Sequence, residues 1–435
     1  MVESTQIKAP ATARLTTARV LVFVLIALYL IFCFSPLRLH YDSIRYFAIK
    51  DCIELGCPPD SDAAKDFFPF GYTALLLLLS KLGLLNSFSI VFTNVIYLIG
   101  GLLLLYKVFE KKFHISFLLV LVLFNWLFIK FVTHPLSEMQ YLFFSMAGIY
   151  FFYRFTQVKK LYFLLLALLF SWVALQTRTV GISLVAGIGV GFLWEYKSTM
   201  LLFLKRYKIL VAIIAAAVIG AVVVFAEELG IRHYLGVFTT HLSKAPLLTR
   251  LGWHFTEWGE VLLNMPSGKA VQKLPEHVGS ALFILVGIAF FCWFCYSFFI
   301  KKNSIPVFIK AYLFFYIAIL FNWPFADPRF WVPVMPIIAV VLLQSGIEKV
   351  KGLKIPARLL LIFYLTMGCL SAGFMIYTSF NKAVFAKTQA NGVYKKEYEV
   401  HFFGKHGSEP AVTTIKADSS SVVNPAIVDL LKRHD

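Results

Sequence analysis

The chain has 435 residues, 59% of them hydrophobic and 15% charged, with a mean hydropathy of +0.77 and a formal net charge of +18. Soluble globular chains are nearer half apolar and a quarter charged, so a soluble enzyme is excluded. The apolar runs are continuous, which fits helices crossing a bilayer and not the alternating strands of a closed barrel.

The positive charge does not point to nucleic acid, because Lys and Arg cluster in short loops, where they set membrane orientation. Residues 1–17 are polar and read as a cytoplasmic N-terminus, with Lys8 and Arg14 before the first span and Arg19 at its start. The run Ala18–Phe34 lacks a small-residue cleavage site and reads as an uncleaved first span. A first outer loop, 36–87, follows. Within it Asp42–Leu55 has helical spacing, with Ile44, Phe47, Ala48 and Ile53 able to lie on a membrane surface. Gly56-Cys57-Pro58-Pro59 breaks that helix. Cys52 and Cys57 share the loop and can form a disulfide if it faces an oxidising compartment. Cys33, Cys292, Cys295 and Cys369 lie in apolar runs and read as packing residues.

The run Phe70–Leu85 is short for a crossing. Counting it as one places Lys107, Lys111 and Lys112 outside, whereas a surface helix places them inside. The positive-inside bias selects the surface helix. The inner loops then also hold Arg154, Lys159, Lys160, Lys197, Lys205, Arg206, Lys208, Lys301, Lys302, Lys310, Lys349, Lys351, Lys354 and Arg358. The expected spans are Phe88–Leu105, Ile115–Val132, Met139–Tyr153, Leu161–Gln176, Val180–Trp194, Ile209–Phe225, Val278–Ile300, Phe308–Phe321, Trp331–Leu343 and Leu359–Tyr377. The expected fold is an all-α polytopic membrane protein of about eleven transmembrane helices, with juxtamembrane helices in the first outer loop. Its parts are an N-terminal transmembrane module over 18–225, an outer loop over 226–277, C-terminal transmembrane helices over 278–379 and an outer tail or small domain over 380–435.

On this topology the unusual polar residues gather at the outer face. They are Asp42, Arg45, Lys65 and Asp66 in the first loop, Lys130, His134 and Glu138 around the second, Arg178 at a third turn and Asp327 and Arg329 at a fourth. Ionisable groups near membrane depth are costly and mark a site by default. Each also has a plain reading. Asp42 and Glu138 can cap helices, Arg178, Arg329 and Lys130 can snorkel to headgroups, and His134 can be a loop residue. Trp253, Trp258 and Trp323 read as interface anchors rather than sugar platforms.

Together the charges suit transfer of a sugar from a lipid-phosphate donor. Asp42 is the expected base for an acceptor hydroxyl, with Glu138 as a second catalytic carboxylate that positions Asp42's partners or the acceptor. Arg178 and Arg329, with Lys65 or Lys130, are the expected donor-phosphate ligands. Arg45, Tyr46, Tyr72, His134 and Asp327 are expected to line the substrate site. No metal site is assigned. Asp42, Glu138 and Asp327 are the oxygen ligands a divalent cation would use, and no cofactor is firmly implied.

The order of motifs resembles the C-type membrane glycosyltransferases, the superfamily that includes protein O-mannosyltransferases and the lipid A aminoarabinose transferase. Asp42-Ser43-Ile44-Arg45-Tyr46 resembles the family's Asp-x-x-Arg-Tyr, in which Asp is the catalytic carboxylate. Pro69-Phe70-Gly71-Tyr72 is similar to its Pro-x-Gly-Tyr, which a juxtamembrane helix follows. Ser137-Glu138-Met139 resembles the second acidic position, and Arg329-Phe330-Trp331-Val332-Pro333 the Arg-(Tyr or Phe)-x-x-Pro opening of a late span. Phe68 stands where the aminoarabinose enzyme has a phosphate-contacting Lys, which leaves the phosphate clamp and the donor open. The resemblance implies an inverting transferase on the outer side of a bacterial inner membrane. Its partners would be a polyprenyl-phosphate sugar, a lipid, glycan or protein acceptor, and the bilayer. Some relatives need a divalent metal and others do not. The rival classes are a transporter or flippase for lipid-linked sugars, and a surface-glycan polymerase or ligase working through the outer loop.

Overall fold

The computed structural model describes residues 11–110, 112–198, 220, 231–242, 245–268, 272, 275–301, 303–345, 354–381 and 384–385. Among them there is helix and no strand. The α-helices are α1 (Ala11–Phe32), α2 (Tyr41–Leu55), α3 (Phe70–Lys81), α4 (Ser87–Phe109), α5 (Ile115–Leu123), α6 (Trp126–Phe131), α7 (Glu138–Val158), α8 (Leu161–Thr177) and α9 (Ile182–Glu195). They continue as α10 (Ile231–Leu242), α11 (Leu247–Leu263), α12 (Glu276–Cys295), α13 (Val307–Asn322), α14 (Met335–Ser345) and α15 (Lys354–Phe380). Of the described helical stretches, Ser87–Phe109, Val278–Ile300 and Ile355–Phe380 are long and apolar enough to cross a membrane. The expected span Ile209–Phe225, apart from Gly220, and nearly all of the 380–435 tail lie outside the described residues.

Helix direction follows from neighbouring pairs: α7 and α8 are antiparallel across a two-residue link, whereas α4 and α7 run in the same direction from one end. α7 packs on α4 and α8, and α9 packs on α13. The α9–α13 approach is close enough that a Cβ on Gly187 would lie 2.8 Å from Tyr312 Cα, so the backbones meet where only hydrogen fits. α7 starts at Glu138 and α8 ends beside Arg178, so these two residues meet at one end of the bundle. The Lys159–Glu195 ion pair closes the opposite end.

α2 and α3 pack on each other at the Glu138 end. Gly71, at the start of α3, lies under the last turn of α8, where a Cβ would be 2.7 Å from the Gln176 carbonyl oxygen. That approach accounts for the glycine of Pro69-Phe70-Gly71-Tyr72. α4 begins at the same end, with Asn94 Nδ2 donating to the carbonyls of Val132 (3.0 Å) and His134 (2.9 Å). α3 has 12 residues, about 18 Å at 1.5 Å per residue against a hydrocarbon core of about 30 Å. A bonded Cys52–Cys57 pair ties the end of α2 to the loop behind it.

The expected span Ile115–Val132 is not continuous. It breaks between α5 and α6, with Asn125 capping α6 through its side chain to the Leu127 N–H at 3.0 Å. The break frees the Phe124 carbonyl and the Trp126 N–H in an apolar interior, where unpaired backbone groups are costly. Asn264 meets both, donating to Phe124 O at 2.9 Å and accepting from Trp126 N at 2.7 Å, and it also donates to Tyr364 O at 2.8 Å. It does so from a left-handed backbone (φ 55°) at the end of α11, a conformation Asn tolerates. Asn264→Ala removes all three bonds and is expected to cost about 1–3 kcal/mol, read as a lower unfolding temperature in detergent. Asn264→Gly, which relieves the backbone but restores no bond, is expected to fall as far.

The outward faces of the helices are apolar. On α8, Leu161, Leu165, Leu169 and Trp172 are all exposed, as on a surface facing lipid tails. Trp258 is not an interface anchor. It is buried among Phe290, Phe291, Phe294 and Trp331, with ring centroids 5.0–5.3 Å away. Its place on the inner face of α11, packed against α12, removes it from any surface.

Candidate functional site

Four chain segments bring charge together at the Glu138 end. Asp42 lies in the first turn of α2, which His40 caps by accepting from the Asp42 N–H. Glu138 opens α7, and Arg178 ends α8. Arg329 lies in the short turn Pro328–Trp331, capped by Asp327 through its own side chain to the Arg329 N–H at 3.0 Å.

Arg329 is the centre. One Nη is hydrogen-bonded to the Asp42 carboxylate, Nε lies 2.8 Å from Asp327 Oδ2, and the other Nη lies 3.7 Å from Glu138 Oε1. Arg178 pairs with the same Glu138 oxygen. The Phe330 ring stands by both guanidiniums, 5.5 Å from Arg178 and 5.0 Å from Arg329, and its carbonyl accepts the Tyr316 hydroxyl at 2.5 Å. Three carboxylates thus face two arginines. His40 is the further neighbour, its Nε2 3.7 Å from Asp327.

Burial alone would raise the Asp42 carboxyl. The Arg329 charge and hydrogen bond, helped by His40 and Arg45, outweigh it and hold the group below its ordinary value. Burial works against the charge on both arginines. Glu138, Tyr316 and Tyr46 keep Arg178 charged, and Asp42, Glu138 and Asp327 keep Arg329 charged. His40 is pushed down by burial and by Arg329, so it stays neutral near pH 7.

Other expected site residues lie around or away from this cluster. Arg45 pairs with Asp66 through two bonds of 2.8 and 2.7 Å and stacks on Phe68 at 3.5 Å. Tyr46 donates to Ser137 Oγ at 3.0 Å, and its ring packs on Phe68 and Tyr72. Tyr72 is fully buried and packs edge-on against Tyr46. His134 is buried too, bonded to Lys130 O at 2.9 Å, and burial followed by the Lys130 charge pushes it well below its ordinary value. Lys65 and Lys130 are exposed, Lys130 lying 4.7 Å from the Phe131 ring.

The residues that sequence reasoning missed lie behind the cluster. Trp331 Nε1 donates to Glu257 Oε2 at 2.7 Å, and His254 Nδ1 meets the same oxygen at 2.8 Å. All three are buried and seat the turn that carries Arg329. The i, i+3 spacing of His254 and Glu257 was the available signal. Among the described residues no group of three His, Cys, Asp or Glu is arranged to hold a metal ion. The three carboxylates meet across the Arg329 guanidinium instead. Two hollows, of about 420 and 310 Å³, lie against α13, the first beside α12 and the second beside Val190 of α9, and share Phe299 and Phe314. No family model, curated protein or solved structure matches the chain.

Proposed function

We propose that this protein is an inverting glycosyltransferase of the bacterial inner membrane. It would move a sugar from a polyprenyl-phosphate-linked donor to a hydroxyl acceptor on the outer face. One observation carries the reading: Arg329 bridges Asp42 and Glu138, and Arg178 joins them, from four segments distant in sequence. A base beside two phosphate-binding guanidiniums is what the chemistry needs. The acceptor oxygen forms a bond to the anomeric carbon while the bond from that carbon to the phosphate oxygen breaks. The acceptor proton goes to Asp42, and the phosphate leaves with the bonding electron pair. Phosphate is a good leaving group, so no strong acid is required. Attack opposite the phosphate inverts the anomeric centre.

The Cys52–Cys57 bond supports the orientation, since disulfides persist in oxidising compartments. In a background without free thiols, Asp60→Cys, on the exposed loop after α2, is expected to react with a membrane-impermeant maleimide in intact cells. Lys160→Cys, exposed at the opposite end, is expected to react only after permeabilisation. The reverse pattern overturns the outward placement.

The activity test is transfer of radiolabelled sugar from a polyprenyl-phosphate donor by the purified protein, with Asp42→Asn beside it. Absence of covalent transfer across a panel of such donors rejects the reading. One observation favours a carrier instead. The α5–α6 break resembles the discontinuous helices of transporters. Nearby, burial pushes the Glu260 carboxyl up to about 7 despite two bonds from Ser267. A carrier would show donor movement across vesicles, no covalent product, and dependence on Glu260 rather than Asp42.

A further inference from the structure

An anionic donor arriving at this cluster meets no uncommitted guanidinium. Arg329 is only 6% exposed at its side chain, and each face of its fork already has a carboxylate. The three carboxylates differ in how firmly they are held. Asp327 is pinned by its bond to the Arg329 N–H, within its own turn. Glu138 is 1% exposed and paired to Arg178. Asp42 is 21% exposed, at the open start of a helix. Among the described residues its carboxylate has Arg329 as its hydrogen-bonded partner. Asp42 therefore covers the guanidinium from the open side and is the member that can swing away by a side-chain rotation.

We propose that Asp42 is a displaceable cover on Arg329: a phosphate anion binds the guanidinium by taking the carboxylate's place, and the displaced Asp42 becomes available to the acceptor hydroxyl. The exchange itself rests on the geometry. The hand-over to an acceptor rests on the transferase reading. Phosphate competes because it offers two oxygens to the guanidinium fork in the same bidentate manner as a carboxylate; a donor phosphodiester does so with equal charge, and the monoester polyprenyl phosphate with more. Freed from its cation, Asp42 regains basicity only once the donor is in place. The site then orders its own chemistry, donor first and acceptor activation second.

The test is binding rather than turnover. Purified full-length protein in detergent is titrated with polyprenyl phosphate, with neutral polyprenol as the control and inorganic phosphate as competitor. Asp42→Asn removes the competing charge and is expected to tighten polyprenyl phosphate binding by about tenfold. General attraction of an anion to a less negative protein would also tighten binding. That part is screened at roughly 1 M salt, where the Debye length is about 3 Å. The gain from direct exchange is expected to persist there. In an Arg329→Lys background, which keeps the charge but not the fork, the Asp42→Asn gain is expected to shrink. If Asp42→Asn binds no tighter than the parent, or its gain vanishes at high salt, the exchange is overturned. Absence of phosphate binding in both proteins overturns it as well. Competition by inorganic phosphate as strong as by the lipid assigns the exchange to free phosphate, and weak competition assigns it to a lipid-borne one. A protein that passes the binding test and fails the transfer assay keeps the exchange and loses the transferase reading.

Discussion

Asp42→Asn is expected to give a folded protein whose sugar transfer is about 10²–10⁴-fold slower, the range by which a positioned general base speeds a reaction. The substitution keeps the volume and a hydrogen-bond acceptor for Arg329, so the loss reads the missing base rather than a collapsed site. The pH profile gives the same residue a second reading. In the free protein, Arg329 holds the Asp42 carboxyl below its ordinary value against the opposing effect of burial. The base form therefore persists from neutral pH down through the usual carboxylate range, and is lost only as pH falls through the depressed value. The acid limb of kcat/KM, which reports the free enzyme, is expected to lie low. If phosphate displaces Asp42, the acid limb of kcat, which reports the bound complex, is expected at higher pH. Coincident limbs would mean that the Asp42–Arg329 pair stays closed during turnover.

Arg178→Met is expected to produce the largest loss of stability at the site, about 3–5 kcal/mol, because it strands a buried charge. Glu138 is 1% exposed, Arg329 lies 3.7 Å from it, and among the described residues its second oxygen has no hydrogen-bond partner. With Arg178 gone, the carboxylate must stay charged with poor compensation or take up a proton. Removing both charges avoids that penalty, so Arg178→Met with Glu138→Leu is expected to recover most of the stability. Thermal unfolding of the two variants in detergent measures this. The double variant is expected to remain inactive, since the pair also orients Arg329. A single variant as stable as the parent would show that the pair contributes little to holding α7 against α8.

The Glu257–His254–Trp331 contacts explain why Arg329 is held so firmly although its turn is only four residues long. A short turn has little stability of its own. Here Trp331 is locked from α11 through a 2.7 Å bond, and the Phe330 carbonyl is locked from α13 by Tyr316. The guanidinium is placed by packing on α11 and α13, while Asp42 and Glu138 come to it from α2 and α7.

Much of this protein follows from local sequence. Apolar runs longer than turns can interrupt make a helical chain whose outward faces are greasy. The 12 residues of α3 are too few to cross. The motif glycine Gly71 marks a close backbone approach. These properties depend on residues near one another in the chain, where composition, spacing and length act directly. The pairing of charges does not. Arg329 meets Asp42 across 287 positions, and Arg178 meets Glu138 across 40. Nothing local distinguishes an arginine bound to a carboxylate from one free to take a phosphate. Arg45 illustrates the same limit, since the motif suggests a substrate contact and the fold gives it to Asp66. The break at Asn125 was hidden for a related reason. Average hydropathy over Ile115–Val132 does not register two freed backbone groups, and their partner, Asn264, comes 138 residues after Trp126. Hydrogen bonds and ion pairs act over a few ångströms of space, so which groups satisfy one another was decided only when the helices packed.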